Sequence, residues 1–429
     1  MLFSFYIFLL IALILCSKRS LANSNKNSTL AYDNNLVIGS VFIFLFLFPY
    51  WIFGSASALG GYDEYHGQIT WFWLKDNYGQ ESFLHSYFGG IGIKDSFNSG
   101  NEYFSLYGLL VKIFPQYIAG LIYKFITLFI TYFGLYVTAK KGFKLNNEVS
   151  LIISIFILSL GYTNYQFSLG GNGMMIAILS ITYPIFFLKN NNLEKYFFYS
   201  LFLLLVIFCT NPLTFIPIFF FNYLAILLVF YKGKKLLKLK EDLVLLLAGC
   251  FLSLFNWFES FLILFQIMDE SARVQLTVQE NLYGLIKEFI LEIYFFFRKE
   301  PHPLFLVIFV LLIFKGIEFR KKLIYSCLLI FFIPLLLQLA SFVADVPLVR
   351  NYRWPQIFYT FEVFSGLLLM YFLSQNIQKI KFYSLCLVLI PISAYGFSIN
   401  TLNILEIRDK QGGYNARSEF KILKTLVDN

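Results

Sequence analysis

Apolar positions along this chain come in long runs of Leu, Ile, Phe and Val rather than in short stripes. Runs of about 17 to 25 apolar residues recur, each long enough to cross roughly 30 Å of hydrocarbon at 1.5 Å per residue. The pattern predicts an all-α chain of about a dozen transmembrane helices. The spans are Leu2 to Ser17, Leu36 to Phe53, Gln116 to Thr138, Val149 to Ser168, Asn172 to Leu188 and Tyr196 to Thr210. They continue with Leu213 to Tyr231, Leu243 to Ile267, Pro303 to Phe314, Leu323 to Val343, Pro355 to Gln375 and Phe382 to Ile399. Residues 1–35 then form an N-terminal helix and a basic linker, 36–399 a polytopic bundle, and 400–429 a tail.

Composition agrees. Of the 429 residues, 58% are hydrophobic, 21% aromatic and only 14% charged, more apolar surface than a water-soluble globule could hide. The formal charge of +9 does not point to nucleic acid, because the lysines concentrate between spans. Every second loop is basic: Lys18 and Arg19; Lys140, Lys141 and Lys144; Lys189 and Lys195; Lys232 to Lys240; Lys315 to Lys322; Lys379 and Lys381. The positive-inside rule makes that side cytoplasmic in a bacterial cytoplasmic (inner) membrane. On the outer face fall the segment 54–115, the loop 268–302, the short loop Ala344 to Trp354 and the tail from Asn400. The first apolar run lacks a basic n-region and a clear cleavage site, so a retained helix is expected over a cleaved, signal-like one.

Several chemistries find no foothold. All five cysteines fall in or at the ends of apolar runs, where a thiol is a small buried hydrophobe. There is no CxxC, zinc spacing, Walker A sequence, GxGxxG after a strand, or HExxH.

Charges inside spans are more informative, since an ionised group in hydrocarbon costs several kcal/mol and normally faces a cavity or a partner. Lys124, Glu259 and Glu362 each lie seven or eight residues from the outer end of their own helix, about 10 to 12 Å deep. Two readings are open. One is an outward-facing polar cavity, with Asn222 and Gln338 adding to its lining; in the other, Lys124 snorkels to the interface and each Glu finds a local partner.

The outer segment 54–115 is more than a connector. Its Gly- and Ser-rich stretches predict loops, while "HGQITWFWLKDN" has an interfacial character with Trp71 and Trp73 at headgroup level. Within it Asp63, Glu64 and His66 sit together among aromatics. One carboxylate could serve as general base while the other binds a divalent cation (Mg or Mn) or orients an acceptor hydroxyl; a solvated loop with an Asp capping a helix is the plainer alternative. The later loop 268–302 has apolar residues near helical spacing from Leu282 to Phe297, which predicts a helix along the membrane surface.

An Asp/Glu pair in the first outer loop resembles the membrane glycosyltransferases of the GT-C superfamily. More closely, "YDEYHGQITWFWLKDN", "GGIGIKDSFNSGNEYFSLYGLLVKIF" and "VRNYRWPQIFYTFEVFSGLLL" look like the bacterial YfhO-like membrane proteins, a group similar to GT-C enzymes. The resemblance covers about 55–145 and 350–370. It implies a GT-C-like bundle that moves a sugar from a polyprenyl-phosphate-linked donor to a cell-surface glycan or lipid acceptor at the outer face. Asp63 and Glu64 would be the base-and-metal pair, with Asp63 as base, Glu64 on the metal and His66 assisting. Arg350 and Arg353, just before a late helix, would offer guanidinium forks to a lipid phosphate, with Lys124, Glu259 and Glu362 on the substrate side. Two rivals stay open. A polysaccharide polymerase of the O-antigen or capsule type would lean on Arg273, Arg298, Arg350 and Arg353; a transporter or flippase for a lipid-linked glycan predicts inverted repeats, which are not apparent.

Overall fold

The computed structural model describes residues 2–22, 34–48, 106–114, 116–160, 172–188, 193–207, 212–230, 354–376 and 382–411, with isolated helical residues between 243 and 252, 283 and 291, and 320 and 325. Every regular element among them is helical. In chain order they are α1 (Leu2–Ala22), α2 (Asn34–Phe46), α3 (Leu106–Ile113), α4 (Gln116–Val137) with a π-helical turn (Thr138–Gly142), and α5 (Asn147–Leu158). Then come α6 (Asn172–Phe187), α7 (Leu193–Ile207), α8 (Pro212–Phe230), α9 (Trp354–Asn376) and α10 (Phe382–Gln411). The all-α expectation therefore holds for the described residues.

The chain divides into two compact units, Met1–Thr210 with Leu373–Asn429, and Asn211–Phe372. In the first unit α4 is the central helix, packed on α2, α3, α5 and most extensively α6. The closeness of α4 and α6 has a local cause. A Cβ on Gly134 would lie 2.5 Å from the Ser180 carbonyl oxygen, and one on Gly142 would lie 2.7 Å from Phe187 Cβ. Those two contacts advance together along both helices, so α4 and α6 run parallel, with α5 following α4 in the chain and packing on it. Helix α2 runs opposite to α4: Phe44 meets Phe125 near one end, while the Tyr132 hydroxyl donates to the Asn35 carbonyl (2.8 Å) nearer the other. Gly39 leaves room for the Tyr132 ring, whose atoms occupy the place a Cβ would need.

At the far end of this unit, Tyr6 of α1, Phe42 and Phe46 of α2 and Phe397 of α10 form an aromatic cluster, the Phe46 and Phe397 centroids 4.5 Å apart. Gly396 of α10 sits on the carbonyl of Ser159, where α5 ends. In the second unit α8 and α9 meet through Phe230 and Tyr371, an edge-to-face pair at 5.5 Å.

The first unit joins an apolar core to apolar outer faces. The exposed face of α7 carries Leu193, Tyr196, Phe197, Leu204 and Ile207, and that of α10 carries Tyr383, Leu387, Val388 and Tyr395. The buried positions include Thr127, Thr131, Thr138, Ser150, Ser154 and Ser180. These hydroxyls donate to carbonyls three to five residues back in the chain, as Thr131 does to Thr127 (2.8 Å) and Ser154 to Ser150 (2.7 Å). Among the described residues one helix, Ile118–Gly142, is long and apolar enough to cross a membrane by length and composition.

Several predicted boundaries shift. Within the span expected from Val149 to Ser168, α5 ends at Leu158, where the chain turns at Ser159 and its hydroxyl donates to the Phe156 carbonyl (2.6 Å); residues 161–168 lie outside the described residues. Twelve helical residues reach about 18 Å, less than a hydrocarbon core. Conversely, α1 runs on through Lys18 and Arg19 to Ala22, and α10 runs past Ile399 to Gln411, since charged side chains do not interrupt a helix. The outer segment 54–115 contains α3 near its end. Lys140 and Lys141, expected in a loop, extend α4 through the π-helical turn. Lys195, expected before a span, lies inside α7.

Candidate functional site

Of the candidate catalytic and substrate-binding residues, two lie on described helices. Lys124 sits on α4 and is 3% exposed; Glu362 sits on α9 and is fully buried. Each follows the first residue of its helix by eight positions. Lys124 belongs to the first unit and Glu362 to the second. Asp63, Glu64, His66, Glu259, Arg350 and Arg353 lie outside the described residues, as do Arg273, Arg298 and Gln338.

Lys124 opens a polar stripe along α4. Thr127, Thr131 and Thr138 follow at three, seven and fourteen residues, within one narrow arc of the helix. The Thr127 hydroxyl donates to the carbonyls of Tyr123 (3.0 Å) and Lys124 (3.1 Å), and Thr138 donates to Gly134 (2.7 Å). Those threonines are thus satisfied by their own helix. Burial at 3% exposure does not fit an ammonium that snorkels into open water.

Glu362 shares its face of α9 with Ser365, one turn on and also fully buried. The Ser365 hydroxyl makes no hydrogen bond among the described residues. Asn222, expected to add to a polar lining, is buried on α8 of the same unit. No group of three or more His, Cys, Asp or Glu side chains that could hold a metal ion occurs among the described residues. The metal ligand expected at Glu64 lies outside them.

Comparison of the chain with protein-family models, with curated proteins and with solved structures gave no match in any of the three. The site must stand on its own residues.

A second polar centre escaped the sequence reading. Where α4 ends and α7 begins, Lys141 and Glu194 form an ion pair. Beside it Lys195 is 4% exposed and its ammonium lies 5.8 Å from the centre of the Tyr199 ring, while Lys140 stands 5.7 Å from that of Tyr136. Lys144 follows the π-helical turn with a left-handed φ of 56°, fixed by the Leu145 amide donating to the Ala139 carbonyl (3.0 Å). A non-glycine residue held there costs about 1–2 kcal/mol. The adjacent Glu194 and Lys195 at the head of an apolar run were the signal available for this centre; they read as loop because the run itself starts at Tyr196.

Proposed function

We propose that the chain is a multi-pass membrane glycosyltransferase that moves a sugar from a polyprenyl-phosphate-linked donor to a cell-surface glycan or lipid acceptor. The observation that carries this reading is Lys124, a buried lysine about 12 Å into the membrane-length helix α4. The apolar outer faces of α7 and α10 support a lipid surround. Alternation of basic loops supports the multi-pass topology, with segment 54–115 outside.

In this mechanism the donor's polyprenyl chain lies against apolar helix surface and its phosphate meets Lys124. Asp63 takes the proton of the acceptor hydroxyl as that oxygen attacks the anomeric carbon, and the lipid phosphate leaves with the electrons of the broken bond. Glu64 orients the acceptor or holds a divalent cation, and His66 lies close enough in sequence to assist. Arg350 and Arg353 are the further phosphate-binding candidates.

The test is the profile of surface glycan and lipid-linked sugar in a deletion strain carrying wild type, Asp63→Asn or Glu64→Gln, matched for abundance in the membrane. Loss of one sugar addition, with the donor lipid accumulating, is the expected outcome, at least a hundredfold for Asp63→Asn, since general-base catalysis contributes about 10² to 10⁴. A wild-type profile from both variants would discard the reading.

A further inference from the structure

The first unit carries its unexplained charge at one end. There the π-helical turn Thr138–Gly142 closes α4, α5 starts at Asn147, and α7 starts at Leu193. Four lysines gather on these pieces, Lys140, Lys141, Lys144 and Lys195, against two carboxylates, Glu148 and Glu194. Glu194 is taken up by Lys141 and leaves Glu148 as the other local acid. The excess is therefore positive, and its most exposed member, Lys144, is held in a backbone conformation that lysine rarely adopts.

The same end presents apolar groups to its surroundings. Leu193 is 84% exposed, and Tyr196 and Phe197 are each more than half exposed, while Lys195 between them turns inward. A water-facing helix start would reverse that choice. Bulky aromatics outward beside a ring of lysines is the pattern of a membrane interface on an anionic leaflet, where the rings sit among headgroups and each ammonium meets a phosphate.

We propose that this end of the first unit is a docking surface for anionic phospholipid headgroups, with Lys140 and Lys144 as the phosphate-binding pair and Tyr196 and Phe197 as the interfacial anchors. The inference rests on the membrane reading above and adds to it a lipid class and two residues. Lys141 is tied to Glu194, so its part is to join α4 to α7 and hold the two lysines in register with the aromatics.

The test uses the full-length protein in nanodiscs made from equal parts of phosphatidylglycerol and phosphatidylcholine. Native mass spectrometry then counts the lipids of each class that stay bound. Wild type should retain phosphatidylglycerol in preference, and Lys140→Gln with Lys144→Gln should cut that preference about 25-fold, near fivefold for each lysine. The Lys140→Arg, Lys144→Arg pair should restore it. An unchanged preference in the glutamine pair, in protein with wild-type thermal unfolding, overturns the proposal. So does displacement of phosphatidylglycerol by inorganic phosphate, which would mark a site for a soluble anion. Carbonate extraction of cell membranes separates the two readings: release of the protein fails both, whereas a carbonate-resistant protein without lipid preference fails only this one.

Discussion

Lys124 is the residue on which most depends. If its ammonium serves a donor phosphate, Lys124→Met, which fills similar volume without the charge, should lose activity out of proportion to any change in folded protein. Transfer activity in membrane vesicles should drop about 30-fold, the equivalent of about 2 kcal/mol for one charge-assisted hydrogen bond. Lys124→Arg should keep part of that activity. Full activity in the methionine variant, with a raised unfolding midpoint, would make the lysine a structural feature only. Lys124 and Glu362 stood out in the sequence as single charges within long apolar runs, but whether they were buried did not, because a snorkelling lysine and a buried one share that pattern. The role of Lys195 was not legible, since a lysine at the head of a run reads as loop; only the inward turn of α7, with the ammonium against the Tyr199 ring, reveals it. Asp63, Glu64 and His66 remain readings of sequence and resemblance.

At the level of elements, the pairing of α4 with α6 is closest at Gly134 and Gly142, and of the two only Gly134 meets backbone. Alanine at an ordinary helical position is worth about 1 kcal/mol more than glycine. At position 134, however, the new Cβ would face the Ser180 carbonyl at 2.5 Å, and a backbone oxygen on a neighbouring helix cannot step aside. Gly134→Ala should therefore destabilise by about 1–3 kcal/mol, read as a lowered midpoint of denaturant unfolding in detergent. A raised midpoint would mean that the helices are free to separate and that glycine there is only a weak helix former. The existence of such helices was plain from apolar runs alone, yet their ends were not. Helix α5 stops ten residues before its apolar run does, because Ser159 ties its hydroxyl back to Phe156 and Gly396 of α10 packs on the turn. Helix α10 continues twelve residues past its apolar run. Hydropathy reports where a chain prefers lipid, whereas helix ends follow hydrogen bonding and packing. Among the described helices the two coincide closely at α4, α6, α8 and α9.

For the whole molecule, the orientation of the chain carries the largest consequence. In the first unit, packing brings the end of α4, the start of α5, the end of α6 and the start of α7 to one end: Lys141 pairs with Glu194, and Phe143 stacks on Phe187 with centroids 4.7 Å apart. Two loops counted separately as basic are thus one basic surface, and the aromatic cluster around Phe397 lies away from it. If that surface is cytoplasmic, a catalytic loop at 54–115 must be reached from outside. Single cysteines test this directly once Cys16, Cys209, Cys250, Cys327 and Cys386 are replaced by serine or alanine. A membrane-impermeant maleimide added to intact cells should label Gly61→Cys and leave Lys144→Cys untouched, and permeabilising the cells should expose position 144. Labelling of both in intact cells would place the basic surface and the Asp63 loop on one side. That result would remove both the lipid-facing role of Lys140 and Lys144 at an inner leaflet and the outward delivery of acceptor to Asp63, because the odd number of crossings between 61 and 144 is shared by the two.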